Sequence, residues 1–162
     1  MGARRLTLLA AVLTGAMLSA CGFHLQGAEH LPRALASVRI ETIDAQTDFC
    51  HGLRAALRAA GTELDGAAGE SATVRILLDN TSERVLTVSA INIPTAYELS
   101  YHVRVAVQAQ GRELMAPEDH TLTREYSFDE TALLAKDRER DVLAQALADD
   151  LVALLMRRFA AL

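Results

Sequence analysis

The stretch YELSYHVRVAVQ, residues 97–108, alternates without a break. Tyr97, Leu99, Tyr101, Val103, Val105 and Val107 fall on one side, and Glu98, Ser100, His102, Arg104, Ala106 and Gln108 on the other. Successive side chains of a strand point to opposite faces, so this is a half-buried β-strand; a helix, with its period of 3.6, would scatter both sets around its circumference. The segment AQGRELMAPED that follows, residues 109–119, carries turn signals. Beyond it HTLTREYSF, residues 120–128, sets Leu122, Tyr126 and Phe128 against Thr121, Thr123, Glu125 and Ser127, with Arg124 the exception on the apolar side. The two runs are expected to pair as a hairpin.

Upstream, TVRILLDN is a further strand, and SERVLTVSA continues it after a bend near residues 80–82, because β-branched residues resume at Val85 and Val88. INIPTA connects this strand to the central one, Pro94 marking extended or turn backbone. Earlier still, SVRIET alternates Val38 and Ile40 with Arg39 and Glu41 and is the first strand. Thr47 or Asp48 can cap a helix whose apolar residues Phe49, Leu53, Ala56, Leu57 and Ala60 recur at three and four, with Gly61 just past its end. The Gly/Ala-rich connection 61–72 is expected to be mobile or to carry at most a short extra strand.

At the other end, residues 137–160 repeat Leu143, Leu147, Leu151, Leu154, Leu155 and Phe159 at three and four, one continuous apolar stripe. Acidic Asp137, Glu139 and Asp141 near its start and Arg157 and Arg158 near its end match the helix macrodipole. The order β-α-β-β-β-α predicts an α+β two-layer sandwich: a four-stranded, mostly antiparallel sheet packed on two helices. The first two strands, joined through a helix, can run parallel by a right-handed crossover and make the sheet mixed. In the hairpin the second sheet face is polar but not of one charge. That suits water, or a wet protein partner such as the polar lumen of an outer-membrane barrel.

The N-terminus has the three parts of a bacterial secretory signal: basic MGARR, an apolar run over residues 6–17, then LSAC. The apolar run is shorter than the ~20 residues that span a bilayer as a helix. LSAC resembles the lipobox of bacterial lipoproteins, in which the thiol of Cys21 receives a diacylglyceryl group before cleavage leaves that residue first. Sulfur suits the step because a thiolate is accessible near neutral pH and forms a stable thioether. The expected divisions are 1–20 signal peptide, 21–36 lipidated tether and 37–162 a single domain. Gly22 after the cysteine resembles the sorting pattern that favours the outer membrane. Acylation of Cys21 would leave Cys50 as the only thiol and no internal disulfide.

Of the charged side chains, 16 are Lys or Arg and 21 Asp or Glu, a net charge of -5 that argues against non-specific nucleic-acid binding. Catalytic candidates are poor. Cys50 and His51 are helix neighbours and point about 100 degrees apart, unsuited to a thiolate-imidazole pair. His24, His30, His51, His102 and His120 show no metal-ligand spacing, and no GxSxG, SxxK, GxGxxG or P-loop occurs. The sequence reads as no enzyme, with no metal and no cofactor beyond the covalent N-acyl and S-diacylglycerol lipid on Cys21.

Two separated stretches, CGFHLQGAEHLP from Cys21 and ALLAKDRERDVLAQALADDLVALLMRRF ending at Phe159, resemble one family, the lipopolysaccharide-assembly lipoproteins LptE. The order of elements between them is similar as well. The resemblance implies a non-catalytic lipoprotein of the outer membrane, anchored on its periplasmic side. Such a subunit plugs the barrel of LptD, supports its assembly and binds lipopolysaccharide on its way to the surface. It also implies that Lys136 stands where the family has a ligand-binding lysine. The loop before the central strand is a second functional region of the family, with an arginine near its tip in some members. Here SAINIPTA has no cation, so either Arg84 substitutes or Ile91, Asn92 and Ile93 serve to dock into LptD. The competing readings are a lipid-anchored periplasmic subunit of another envelope-assembly complex and an envelope enzyme with an unfamiliar site.

Overall fold

The stretch that alternates so regularly in sequence is the middle of a long three-stranded antiparallel run. The computed structural model describes residues 31–66, 71–127 and 133–162, with backbone alone at 133–136. Strands β1 (Ser37–Thr42), β2 (Glu63–Leu64), β3 (Ala72–Val88), β4 (Pro94–Ala109) and β5 (Arg112–Ser127) form one sheet in the order β2-β1-β3-β4-β5. Helices α1 (Asp48–Ala59) and α2 (Leu133–Ala160) pack on it. β1 runs parallel to β2 and β3, while β4 is antiparallel to its neighbours β3 and β5, so the sheet is mixed as expected. It has five strands rather than four: two residues of the Gly/Ala-rich connection add to the edge of β1.

The alternation of β4 translates directly into packing. Leu99, Tyr101, Val103, Val105 and Val107 are buried under the helices, joined by Val38, Ile40, Val74 and Ile76 from β1 and β3. Phe49, Leu53 and Leu57 of α1 and Leu147, Leu151, Leu155 and Phe159 of α2 fill the other layer. Thr47 is the α1 cap, its hydroxyl accepting from the Cys50 N–H at 3.1 Å, and Gly61 takes φ +84 past the helix end, where a side chain would be strained. Cys50 is fully buried and His51 exposed, so the neighbours diverge as the helical period requires. The core also reaches ahead of β1: Leu35, in a 3-10 turn at Arg33–Leu35, is wholly buried, a position no periodicity marks.

Two departures from the sequence reading concern where strands bend and turn. β3 is one strand, but its register shifts fall at Leu77, between paired Ile76 and Leu78, and again between Val85 and Val88, and not at residues 80–82. The extra residue at Leu77 shifts the parity, so Asp79 and Glu83 lie on the helix side of the sheet. The β4–β5 turn is only Gln110 and Gly111, both with positive φ, and the rest of the expected turn segment is strand. Pro117 and its charged neighbours look like loop in sequence. They are tolerated because β5 is an edge strand and Ala116 and Pro117 bulge opposite Ala106. Phe128 lies outside the described residues.

Candidate functional site

The long hairpin of β3 and β4 ends in a turn organised by Ser89. Its N–H donates to the Ile93 carbonyl at 2.7 Å, its carbonyl accepts from the Asn92 N–H at 2.9 Å, and its hydroxyl accepts from the Ile93 N–H at 3.2 Å. Asn92 supplies the left-handed residue, φ +63, which asparagine accepts more readily than most. The turn holds Ile91 outward, 75% exposed, while Ile93 is half-buried. Val88 and Val85, 53% and 48% exposed, extend the apolar surface down β3. Of the two isoleucines expected to be bare, only Ile91 is.

Below the tip, the face of the sheet turned away from the helices is polar, and its charges answer one another across strands. Arg84 grips Glu98 through Nε and Nη2 at 2.7 and 3.2 Å. That bond holds the Glu98 carboxyl below its ordinary range and raises the guanidinium. Arg104 grips Asp119 at 2.6 to 3.0 Å, and His102 shares the same carboxylate at 2.8 Å. Between these rows the strands pair Ser82, Ser100 and Thr123, and next to them Asn80, His102 and Thr121. The alternation predicted this face; the cross-strand pairing of its charges depends on register, which the sequence did not supply.

The helix side of the same hairpin holds a second polar group. Asp79 accepts from Thr47 and, at 2.8 Å, from the Tyr101 hydroxyl; burial pushes its carboxyl up, against the pull of those two donors. Tyr126 donates to Glu83 and stacks on Tyr97 with ring centroids 5.5 Å apart. Burial and Glu83 both hold the Tyr126 phenol protonated. Arg124, the residue out of pattern, reaches Asp150 of α2 at 2.7 Å and so stays out of the apolar layer. A cleft of about 310 Å³ opens between Thr47, Asp48, Asp79, Tyr101, Arg140 and Asp141. Arg124, out of phase among the apolar residues of its strand, was the one signal of this group in the sequence; Asp79 falls in phase with the polar face there, and only the bulge at Leu77 turns it inward.

Lys136 lies in the first turn of α2, its side chain outside the described part. One turn on, Arg140 stands 3.7 Å from Glu83 and 3.4 Å from Asp141. Arg84 is on the opposite sheet face from α2 and already bound to Glu98, so it and the helix start do not form one cationic pocket. Among the described residues no group of three metal-ligating side chains comes together, and no helix is long and apolar enough to cross a membrane.

A family model described as "LptE: Lipopolysaccharide-assembly" matches residues 35–159. The LPS-assembly lipoprotein LptE of Pectobacterium atrosepticum is 22% identical over 156 residues, covering 95% of this chain and 84% of that one. The protein of the same name from Yersinia pestis is 25% identical over 157 residues, with 96% and 75% covered. Among solved structures, the solution structure of lipoprotein B from Nitrosomonas europaea shares the fold with a TM-score of 0.71 and 24% identity over 86% of this chain and 91% of that one. The rare lipoprotein B from Shewanella oneidensis gives 0.69 at 23% identity over 77% and 94%. The match spans both packed layers, from the buried Leu35 to the buried Phe159, and on it this chain belongs to the LptE lipopolysaccharide-assembly family.

Proposed function

We propose that this chain is a non-catalytic, lipid-anchored subunit of lipopolysaccharide assembly in the outer membrane, held by acyl chains on Cys21 at the periplasmic side. It plugs the barrel of LptD, supports that barrel's assembly and contacts lipopolysaccharide through Lys136. The observation that carries the reading is the rigid turn presenting Ile91 beyond a sheet face whose charges are already paired. Paired charges and small hydroxyls can meet a hydrated lumen without stranding a lone ion, and an exposed isoleucine gains only by leaving water. Arg84 is a poor candidate for phosphate recognition because Glu98 already neutralises it and holds its Nε and Nη2.

The test is recovery of the partner from detergent-solubilised outer membranes. Wild-type chain is expected to bring down one large barrel protein at equal stoichiometry, and Ile91→Asp several-fold less of it. Recovery that is unchanged by Ile91→Asp, or a wild-type complex without a barrel, sinks the reading. Lys136 is the sole lysine of the sequence, so coupling of aldehyde-bearing lipopolysaccharide to lysine reads that position alone. Coupling no greater than that of an unrelated lysine-containing lipoprotein overturns the ligand assignment.

A further inference from the structure

We infer that, before it meets a barrel, the lipidated chain rests one end of its domain on anionic phospholipid headgroups and displays the hairpin tip away from the leaflet. The inference builds on the Cys21 anchor proposed above and adds the protein surface that meets the lipid. Five chain segments converge at that end. β1 starts there just after Arg33–Leu35, and β3 starts beside it, Val38 pairing with Ala72. The Gln110–Gly111 turn lies at the same end because Gln108 pairs with Thr73. α1 ends there, its following residues returning to β1 where the Glu63 N–H donates to the Ala36 carbonyl. α2 runs alongside α1 in the same direction. Thr47 and Asp48 share a cleft with Arg140 and Asp141, and Gly52 faces Asp149 and Val152.

Four of these segments each contribute an exposed arginine with no ion-pair partner among the described residues: Arg33, Arg58, Arg112 and Arg157. Neighbouring Arg54 and Arg158, by contrast, are held by Asp65 and Glu118. Helix dipoles account for Arg58 and Arg157 in last turns but not for Arg33 or Arg112, which belong to no α-helix. Among the described residues the acids at this end are Glu63 and Glu113 besides the two already bound. At the other end lie Asp44, Asp48, Asp79, Glu83, Glu98 and Glu125 around the cleft and the hairpin. A chain of net charge -5 therefore gathers these four arginines where the lipidated segment joins the fold, while Arg138, exposed near the start of α2, lies at the other end between Asp137 and Glu139.

The ten residues from Cys21 to His30, ahead of the folded segment that buries Leu35, can span at most about 35 Å, less than the ~55 Å of β3, so the anchor alone leaves more than one orientation of the domain open. Charge selects one. Headgroup phosphates attract the arginine end and repel the acidic end over a Debye length of about 8 to 10 Å, and guanidinium forks fit phosphate oxygens. The hairpin tip then stands about 50 Å from the surface, where an arriving partner can reach it.

The experiment uses the lipidated chain, acyl mass verified on its N-terminal peptide, in vesicles of phosphatidylcholine with and without phosphatidylglycerol. Amide hydrogen exchange is followed at the Gln110–Gly111 turn, the last turn of α2 and the Ser89–Ile93 turn. On anionic vesicles the first two are expected to exchange several-fold more slowly, the third to be unchanged, and high salt to reverse the effect. Charge reversal of Arg33, Arg58, Arg112 and Arg157 should abolish the slowing, and Glu113→Arg should deepen it. Equal exchange on both vesicles, slowing at the Ser89 turn instead, or a Glu113→Arg chain that is slowed less than wild type overturns the inference. So does the same slowing with inorganic phosphate alone, which would mark a site for the free ion. A chain lacking acyl mass would refute the Cys21 anchor, while exchange of the unanchored chain with and without anionic vesicles still decides the surface.

Discussion

Arg84 and Glu98 stand in register on neighbouring strands, and two hydrogen bonds join guanidinium to carboxylate on the sheet face away from the helices. The pair disarms the only cation near the hairpin that the sequence offered as a phosphate ligand. Glu98→Gln should therefore raise retention of lipopolysaccharide relative to wild type, by freeing Arg84, whereas Arg84→Ala should leave it nearly unchanged. Co-purification of lipopolysaccharide with each variant checks both; a strong loss in Arg84→Ala would restore that residue to the ligand site.

Phe159 and Val142 lie on one helix and predict opposite outcomes. The ring is fully buried between the layers, so Phe159→Ala should cost about 3 to 5 kcal/mol and lower the thermal midpoint markedly. Val142 is two-thirds exposed, and Val142→Ala should stay within about 0.5 kcal/mol. Denaturant melts of the two variants make the comparison.

Gly52 is where α1 and α2 approach. A methyl added there would sit 3.3 Å from Val152 Cγ2, a tight but yielding contact, while alanine gains about 1 kcal/mol of helix propensity over glycine. Gly52→Ala is expected to be close to neutral. Gly52→Leu has no space between the helices and should cost about 1 to 3 kcal/mol, read as a lower urea midpoint at unchanged slope.

The carboxyl of Asp79 titrates above its ordinary value because it is half-buried, with Asp44 and Asp48 adding repulsion. A carboxyl raised in the folded state binds protons there that the unfolded chain lacks, so its contribution to stability falls as pH rises from the unfolded value, about 3.9, through the folded one. Asp79→Asn, which keeps an acceptor for the Tyr101 hydroxyl, should raise the thermal midpoint relative to wild type at neutral pH. The gap should narrow as the pH is lowered toward 4. A gap that widened on acidification would reverse the assignment.

The elements were legible wherever one face of the chain is buried. β4, β1 and both helices follow from their periods because apolar packing writes a single rhythm onto each. The features that went unread come from pairing partners far apart in sequence. The bulge at Leu77 that turns Asp79 toward Thr47 and Tyr101 is fixed by β4, and Arg124 makes sense only once Asp150 lies across from it. β2 has two residues and no rhythm to detect. For the candidate site, the exposure of Ile91 was foreseen from a loop without charges. The backbone bond that draws Ile93 inward rests on the Ser89 hydroxyl, which has no signature of its own.

The outer border of β5, with Pro117 in its bulge, has a consequence for the chain in transit. A proline offers no N–H to a newcomer, and the kink around it breaks the straight row of amides that another copy would need for zipping alongside. Copies of the chain thus meet at this border a kinked strand with a gap in its donors, a poor template for fibrous self-stacking.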